Sequence, residues 1–116
     1  MKHAIILAHP GGASFTATMA QAYETAVRAK GHTVIVRDLY RMKFDPCLKE
    51  CEIPWAADFK APQDVLDEHS LLTGADIFAL FYPLWFNSPP AILKGYMERV
   101  FGMDFAYRRG RGGNEP

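Results

Sequence analysis

Only two cysteines occur in the 116 residues, Cys47 and Cys51. They cannot form a disulfide framework, and no further cysteine lies nearby to complete a zinc site. Their spacing suits one helix face, and they read as free thiols of a reducing compartment. Net charge is missing too: 13 basic side chains offset 13 acidic ones, leaving no global field to draw nucleic acid or a membrane surface. No apolar run approaches the roughly 20 residues of a membrane-spanning helix, so no direct membrane insertion is expected. No His, Asp or Glu spacing looks like a metal site, and none is expected. The opening "MKHAIILAHP" lacks the long apolar core and small-residue cleavage site of a leader and reads as a strand. The expected setting is cytoplasmic.

Apolar residues, at 49%, can supply the core of one compact domain spanning residues 1–116. "HAIILA" is short, apolar on both faces and rich in aliphatic residues, as a buried parallel strand requires. "SFTATMAQAYETAVRAKG" follows with a helical period that places Phe15, Met19, Ala22 and Ala26 on one stripe, with Ser14 as N-cap and Gly31 as stop signal. "HTVIVRDL" reads as a second strand, completing a β-α-β unit. Residues 41–62 carry three prolines and no sustained period, and are expected to pack as an irregular excursion or to serve binding.

"PQDVLDEHSLLTG" gives a short helix with Val65, His69 and Leu72 on one face. "DIFALFYPLWF" is a third apolar strand, and "SPPAILKGYMERVFG" a third helix. In that helix Ser88 is the candidate cap, and Leu93, Met97, Val100 and Phe101 form the inward stripe. Lys94 and Glu98 make an outward (i, i+4) pair. The order β-α-β-α-β-α argues for a doubly wound α/β sheet. The last residues, 104–116, lose all periodicity and read as an irregular tail. A third strand this apolar is a poor candidate for a bare edge, which makes the domain look incomplete at its C-terminal side.

Ligands of open α/β sheets sit beyond the C-terminal ends of the strands. Here those ends are "AHPGGASFT" and "YPLWFNSPP". The first is neither a Walker loop nor a three-glycine dinucleotide fingerprint. It does feed a helix N-terminus, where free amides favour an anion, and His9, Ser14 and Thr16 add donors. The second sets Trp85 and Phe86 beside Asn87 and Ser88 on a proline-stiffened backbone, a platform for a planar aromatic ligand. Each loop alone also fits a plain reading, a capped turn in one case and two core aromatics in the other. Together they suit a ligand the size of flavin mononucleotide.

The runs "AHP", "SFT" and "PAILKGYMERVF", within a match from residue 3 to about 107, resemble the flavodoxin-like NAD(P)H:quinone oxidoreductase family. This family includes DT-diaphorase-type enzymes, modulator-of-drug-activity proteins and ancillary subunits of potassium efflux systems. The resemblance implies a flavodoxin-like parallel sheet with strand order 2-1-3, bound FAD or FMN, and two-electron hydride transfer from NAD(P)H through the flavin to a quinone. It further implies a homodimer with each site at the subunit interface. His9, Ser14, Phe15 and Thr16 match the family's phosphate-side motif. Pro83, Leu84, Trp85, Phe86 and Asn87 match the loop along the isoalloxazine, and Tyr107 an aromatic on the substrate side. Family members continue past the position of Pro116 with a further strand and a glycine-rich loop at the flavin's pyrimidine edge.

The chain is accordingly expected to be part of a longer oxidoreductase, with two alternatives: a naturally short form that only dimerises, or a site rebuilt by exchange of elements in an oligomer. A regulatory ancillary subunit of an efflux system is a rival functional reading. Among the remaining titratable groups, His3 and His32 read as solvated or capping residues and His69 as a packing residue. The "RRGR" cluster reads as a mobile tail or a truncated loop approaching a missing segment; the resemblance implies a place near the substrate and dimer side, with Arg108 or Arg109 at a cofactor phosphate as the lesser reading.

Overall fold

The computed structural model describes residues 1–102 and 105–106. Three parallel strands, β1 (Lys2–Leu7), β2 (Thr33–Asp38) and β3 (Ile77–Phe81), form one sheet in the order β2-β1-β3. Helix α1 (Phe15–Ala29) connects β1 to β2, α2 (Gln63–Leu72) precedes β3, and α3 (Ala91–Val100) follows it. The flavodoxin-like order 2-1-3 is therefore the one observed. No described helix is long and apolar enough to cross a membrane. The tail expected over residues 104–116 lies almost wholly outside the described residues.

Alternation along β1 divides the core in two. Ile5 and Leu7 face α1, where Ala20 is buried and Ala17, Tyr23, Val34 and Phe81 close the layer. Ala4, Ile6 and Ala8 face the other way, onto Leu39, Phe44, Leu72, Leu93, Tyr96 and Val100. A central parallel strand covered on both faces reads as a continuous apolar run, and this one does.

Several expectations about helix faces need correction. In α1 the inward stripe is Ala17, Ala20 and Tyr23, while Phe15 and Met19 are exposed, so the buried stripe is rotated from the expected one. Ser14 does cap α1, its Oγ accepting from the Ala17 amide at 3.0 Å, and Gly31 ends the helix with φ +81°. In α3 Tyr96 takes the inward place expected for Met97, which is exposed. Pro90 rather than Ser88 stands at the N-cap, without a side-chain cap. Lys94 and Glu98 do pair outward, at 2.8 Å.

The excursion over residues 41–62 contains a single 3₁₀ turn (Glu50–Glu52) and lies against α3. Cys51 is on that turn and Cys47 on irregular chain before it, so the two thiols do not share a helix face; both are free. Contact is so close at Gly95 that a Cβ there would overlap the carbonyl oxygen and ring of Pro46.

The excursion is tied down by charge. Arg99 Nε donates to Glu52 Oε1 at 3.0 Å, while Nη1 and Nη2 donate to Asp64 at 2.7 and 2.9 Å. Nη1 also donates to the Asp45 carbonyl at 2.7 Å. The Arg99 and Glu52 side chains are only 1% and 4% exposed. Asp64 titrates below the usual carboxylate range, first because Arg99 donates to it. A second buried carboxylate, Glu68 on α2, accepts from Arg37 Nε at 3.0 Å and from Tyr96 Oη at 2.8 Å. Burial, and then Glu68, pushes the Tyr96 phenol up. His69 behaves as the packing residue expected, its Nε2 bonded to the Val100 carbonyl and its ring stacked on Phe105.

His3 overturns its solvated reading. It is 4% exposed, with Nδ1 2.7 Å from Tyr23 Oη and Nε2 2.8 Å from His32 Nδ1. One hydrogen serves the contact between the two rings, so a doubly charged pair would break it.

Replacing Arg99 by Leu leaves the buried Glu52 without its cation, with only the Lys49 amide still donating to it, and should cost about 3–5 kcal/mol of unfolding free energy by urea denaturation. A loss below about 1 kcal/mol would show that the network does not hold the excursion. His32 has its pKa lowered, first by desolvation and then by the N-terminal charge, His3 and Lys30. A lowered folded-state value means the unfolded chain binds the proton more readily. Its contribution is therefore complete above the unfolded value of 6.5 and lost as pH falls through the folded one. The urea midpoint should drop between neutral pH and about pH 5, and His32→Asn should flatten that drop. An unchanged slope in the variant would exclude His32 as its source.

Candidate functional site

Three chain segments meet at the C-terminal edge of the sheet. After β1, residues 8–14 lead into α1, whose first-turn amides of Phe15 and Thr16 find no acceptor among the described residues. Free amides at a helix start are a seat for an anion. Thr16 is half-buried beside them, whereas Phe15 is 81% exposed. His9 folds back on its own loop, Nδ1 accepting from the Gly11 amide at 2.9 Å. That bond makes Nδ1 an acceptor and leaves the proton of a neutral ring on Nε2, from which it can donate outward.

After β3, the Trp85 amide donates to the Ser88 carbonyl at 3.0 Å and the Ser88 amide returns a bond to Trp85 at 2.9 Å. The reciprocal pair closes a two-residue turn with Phe86 at φ 49° and Asn87 at φ 57°. Positive φ at both central positions is the signature of a type I′ turn, which favours Asn and Gly. Phe86 is not such a residue, and its side chain is fully exposed at the tip. A bulky residue held in this region is strained and gains nothing locally from burial. Trp85 and Leu84 are also largely exposed, and Pro83 is half-buried. The aromatics are therefore surface groups rather than core.

The two loops are in contact distance: the His9 and Trp85 rings lie with centroids 6.0 Å apart and planes at 58°. Between the first turn of α1 and the end of β3 is a shallow cleft of about 200 Å³, lined by Phe15, Thr16, Met19, Leu80, Phe81 and Tyr82. Another cavity, about 280 Å³, lies away from this edge beneath the 41–62 excursion, and the Arg99 and Glu52 that line it are already bonded to each other.

Of the residues singled out from sequence, His9 and Ser14 lie in the first loop, Phe15 and Thr16 in the first turn of α1, and Pro83, Leu84, Trp85, Phe86 and Asn87 in the second loop. Tyr107, with Arg108 and Arg109, lies outside the described residues. Sequence reasoning missed Arg41, which follows β2 and donates from Nη1 to the Pro10 carbonyl at 3.0 Å. Its only signal in sequence is a position three residues past the second strand, within an otherwise irregular run. No cluster of three or more His, Cys, Asp or Glu side chains that could hold a metal occurs among the described residues.

Free first-turn amides, a half-buried threonine, a histidine with an outward donor and an exposed aromatic platform fit the phosphate and ring of a flavin nucleotide.

Known proteins are similar over most of the chain. The flavodoxin-like fold family model matches residues 1–116. An uncharacterized NAD(P)H oxidoreductase of Haemophilus influenzae is 42% identical over 113 residues, covering 97% of this chain and 56% of that protein. NAD(P)H dehydrogenase (quinone) 1 of Cavia porcellus is 38% identical over 120 residues, covering 89% of this chain and 44% of the other. Among solved structures, an NAD(P)H:quinone oxidoreductase from Methanothermobacter marburgensis superimposes with a TM-score of 0.81 at 38% identity, over 92% of this chain and 55% of that one. The chain thus spans about half the length of the curated relatives it matches.

Because Phe86 buries nothing and sits at positive φ, Phe86→Gly should leave stability unchanged or raise it by about 1 kcal/mol in chemical denaturation. A loss above about 1 kcal/mol would mean the ring is packed in solution.

Proposed function

The chain belongs to the flavodoxin-like NAD(P)H:quinone oxidoreductase family, and on that premise we propose that it holds the flavin of an NAD(P)H-dependent quinone reductase. The observation that carries this reading is the apposition of the two loops, with His9 and Trp85 at 6.0 Å between ring centroids. One loop offers donors without acceptors and the other an apolar platform, so a single ligand must be anionic at one end and planar at the other.

Bound FAD or FMN supplies a centre that accepts a hydride from NAD(P)H and yields it to a quinone. The chain's own residues bind and orient. Amides of Phe15 and Thr16, the Thr16 hydroxyl and His9 Nε2 address the phosphate. Backbone groups of residues 83–87 address the ring edge from a turn that the Trp85–Ser88 bonds hold in shape despite strain at Phe86. Trp85 and Phe86 exclude water from one side of the ring and leave the other open to the two substrates in turn. Tyr107 is assigned to that substrate side.

A second copy of the chain is the proposed partner, with the site at the interface between copies. The adjoining exposed Leu84 and Trp85 beside the site support this, since contiguous exposed apolar surface marks an interaction site. Two free thiols support a reducing, cytoplasmic setting.

Fluorescence quenching of FMN and FAD by the chain tests the reading. Saturable binding is expected, and Thr16→Ala should weaken it about tenfold, the value of one hydrogen bond to a charged group. Ser14→Ala should weaken it as well, through loss of the helix cap. Unchanged affinity in both variants would remove the phosphate seat from the β1–α1 loop.

A further inference from the structure

The cavity of about 280 Å³ between the 41–62 excursion and helices α2 and α3 shares no lining residue with the two loops of the candidate site. Its walls are apolar: Leu48, Pro54, Phe59 and Ala61 from the excursion, Val65 and Leu66 from α2. Leu48 and Leu66 are partly exposed and stand at its mouth. A cavity of about 150 Å³ already holds benzene, so this one has room for one substituted ring but not for a flavin nucleotide. Four titratable side chains also line it, Glu52, His69, Glu98 and Arg99, and three of them are committed. Arg99 gives four of its five N–H groups to Glu52, Asp64 and the Asp45 carbonyl. Glu52 accepts from Arg99 and from the Lys49 amide, and Glu98 pairs with Lys94. His69 differs. Its Nε2 is 2.8 Å from the Val100 carbonyl, which can only accept, so Nε2 carries the hydrogen. In the neutral ring Nδ1 is then a lone-pair acceptor, and no donor meets it among the described residues. No buried side-chain nitrogen there is left unpaired, so Nδ1 is open to whatever enters beside the ring. Phe105 stacks on that ring with centroids 4.2 Å apart and planes within 3°, which holds it in place.

We propose that this cavity is a second binding site, for a small monocyclic phenol whose hydroxyl donates to His69 Nδ1 while its ring lies among the apolar walls. The surroundings select that class. An apolar ring without a donor fills the space but leaves Nδ1 unpaired. An anion meets an excess of carboxylates, Glu52, Asp64 and Glu98 against Arg99 and Lys94. A cation must shed its water where each of those carboxylates already has its partner. A neutral hydroxyl faces neither cost. A quinone carries only acceptor oxygens and offers Nδ1 nothing, whereas the hydroquinone formed by its two-electron reduction carries two hydroxyl donors. The cavity therefore tells the reduced ring from the oxidised one. The site stands independently of the flavin reading above; only a link between its ligand and the protein's own product rests on that reading.

The test is NMR titration of the full chain with 4-methylphenol and with p-xylene, which has the same shape but a methyl in place of the hydroxyl. Amides of Phe59, Leu66 and Gly102 report on the cavity. 4-Methylphenol should bind about tenfold more tightly than p-xylene, the value of one hydrogen bond. Hydroquinone, kept under argon, should move the same amides. His69→Phe keeps a ring on Phe105 but removes Nδ1, and should bring 4-methylphenol down to the affinity of p-xylene. Leu66→Trp fills the mouth and should stop both ligands. Because His69→Phe also loses the bond to Val100, the Nδ1 nitrogen signal of the unaltered chain is followed in parallel. It should shift with 4-methylphenol and stay with p-xylene. Equal affinity for the two ligands, or an Nδ1 signal that 4-methylphenol leaves in place, would overturn the proposal. So would binding that survives Leu66→Trp, which puts the ligand elsewhere, and so would cavity amides that neither ligand moves. None of these outcomes bears on flavin binding, which Thr16→Ala tests separately.

Discussion

Strand β1 is confined on every side: neighbours bond to both edges, and apolar side chains cover both faces. That confinement fixes where the chain leaves the sheet after Leu7, and so where the first half of the site begins. It fixes the second half as well, because β3 is registered directly against β1 from His3 to Leu7. The Ala8 amide donates to the Phe81 carbonyl at 2.9 Å and the Leu39 amide to the Leu7 carbonyl at the same distance. Three loops are thereby held side by side through backbone bonds, the least adjustable contacts in the molecule. Slippage of β1 by one residue would exchange the two halves of the core and carry His9 away from Trp85.

Charge does the corresponding work on the α2–α3 side. Apolar contacts alone would leave the 41–62 excursion free to slide, since they are non-directional. Arg99 removes that freedom by binding a 3₁₀ turn, the first turn of α2 and a loop carbonyl together. Glu68 does likewise for β2 and α3 through Arg37 and Tyr96. No buried side-chain nitrogen or oxygen among the described residues is left without a partner. Such networks specify one arrangement more than they add stability, because desolvating each charge offsets much of its attraction.

The candidate site has the opposite character. Its donors lack acceptors, its aromatics lack cover, and its turn carries a bulky residue, Phe86, at positive φ. Local rules satisfied throughout the core are broken together at one edge of the sheet, the pattern expected of a functional site. β3 shares that openness: Phe78 and Leu80 are partly exposed, and its far edge carries no strand among the described residues. The relatives, about twice as long, have further chain with which to cover such an edge.

Period and punctuation in the sequence determined the element order, the existence of all three helices, the Ser14 cap and the two loops of the site, because these depend on neighbours within a few residues. Runs such as "HAIILA" and "DIFALF" need no partner to be recognised as buried strands. Helix faces were less legible. Small residues such as Ala17 and Ala20 mark an inward stripe only when a sheet packs close against them, while Phe15 and Met19 look apolar wherever they point. The buried Glu52, Glu68, Arg99 and His3 were invisible for a related reason: a charged or polar side chain can be buried only where a hydrogen-bond partner meets it, and those partners lie 20 to 47 residues away. Arg41 belongs with them. Its nearness to Pro10 spans 31 residues and exists only because β2 lies beside β1, a pairing that the tertiary structure alone decides.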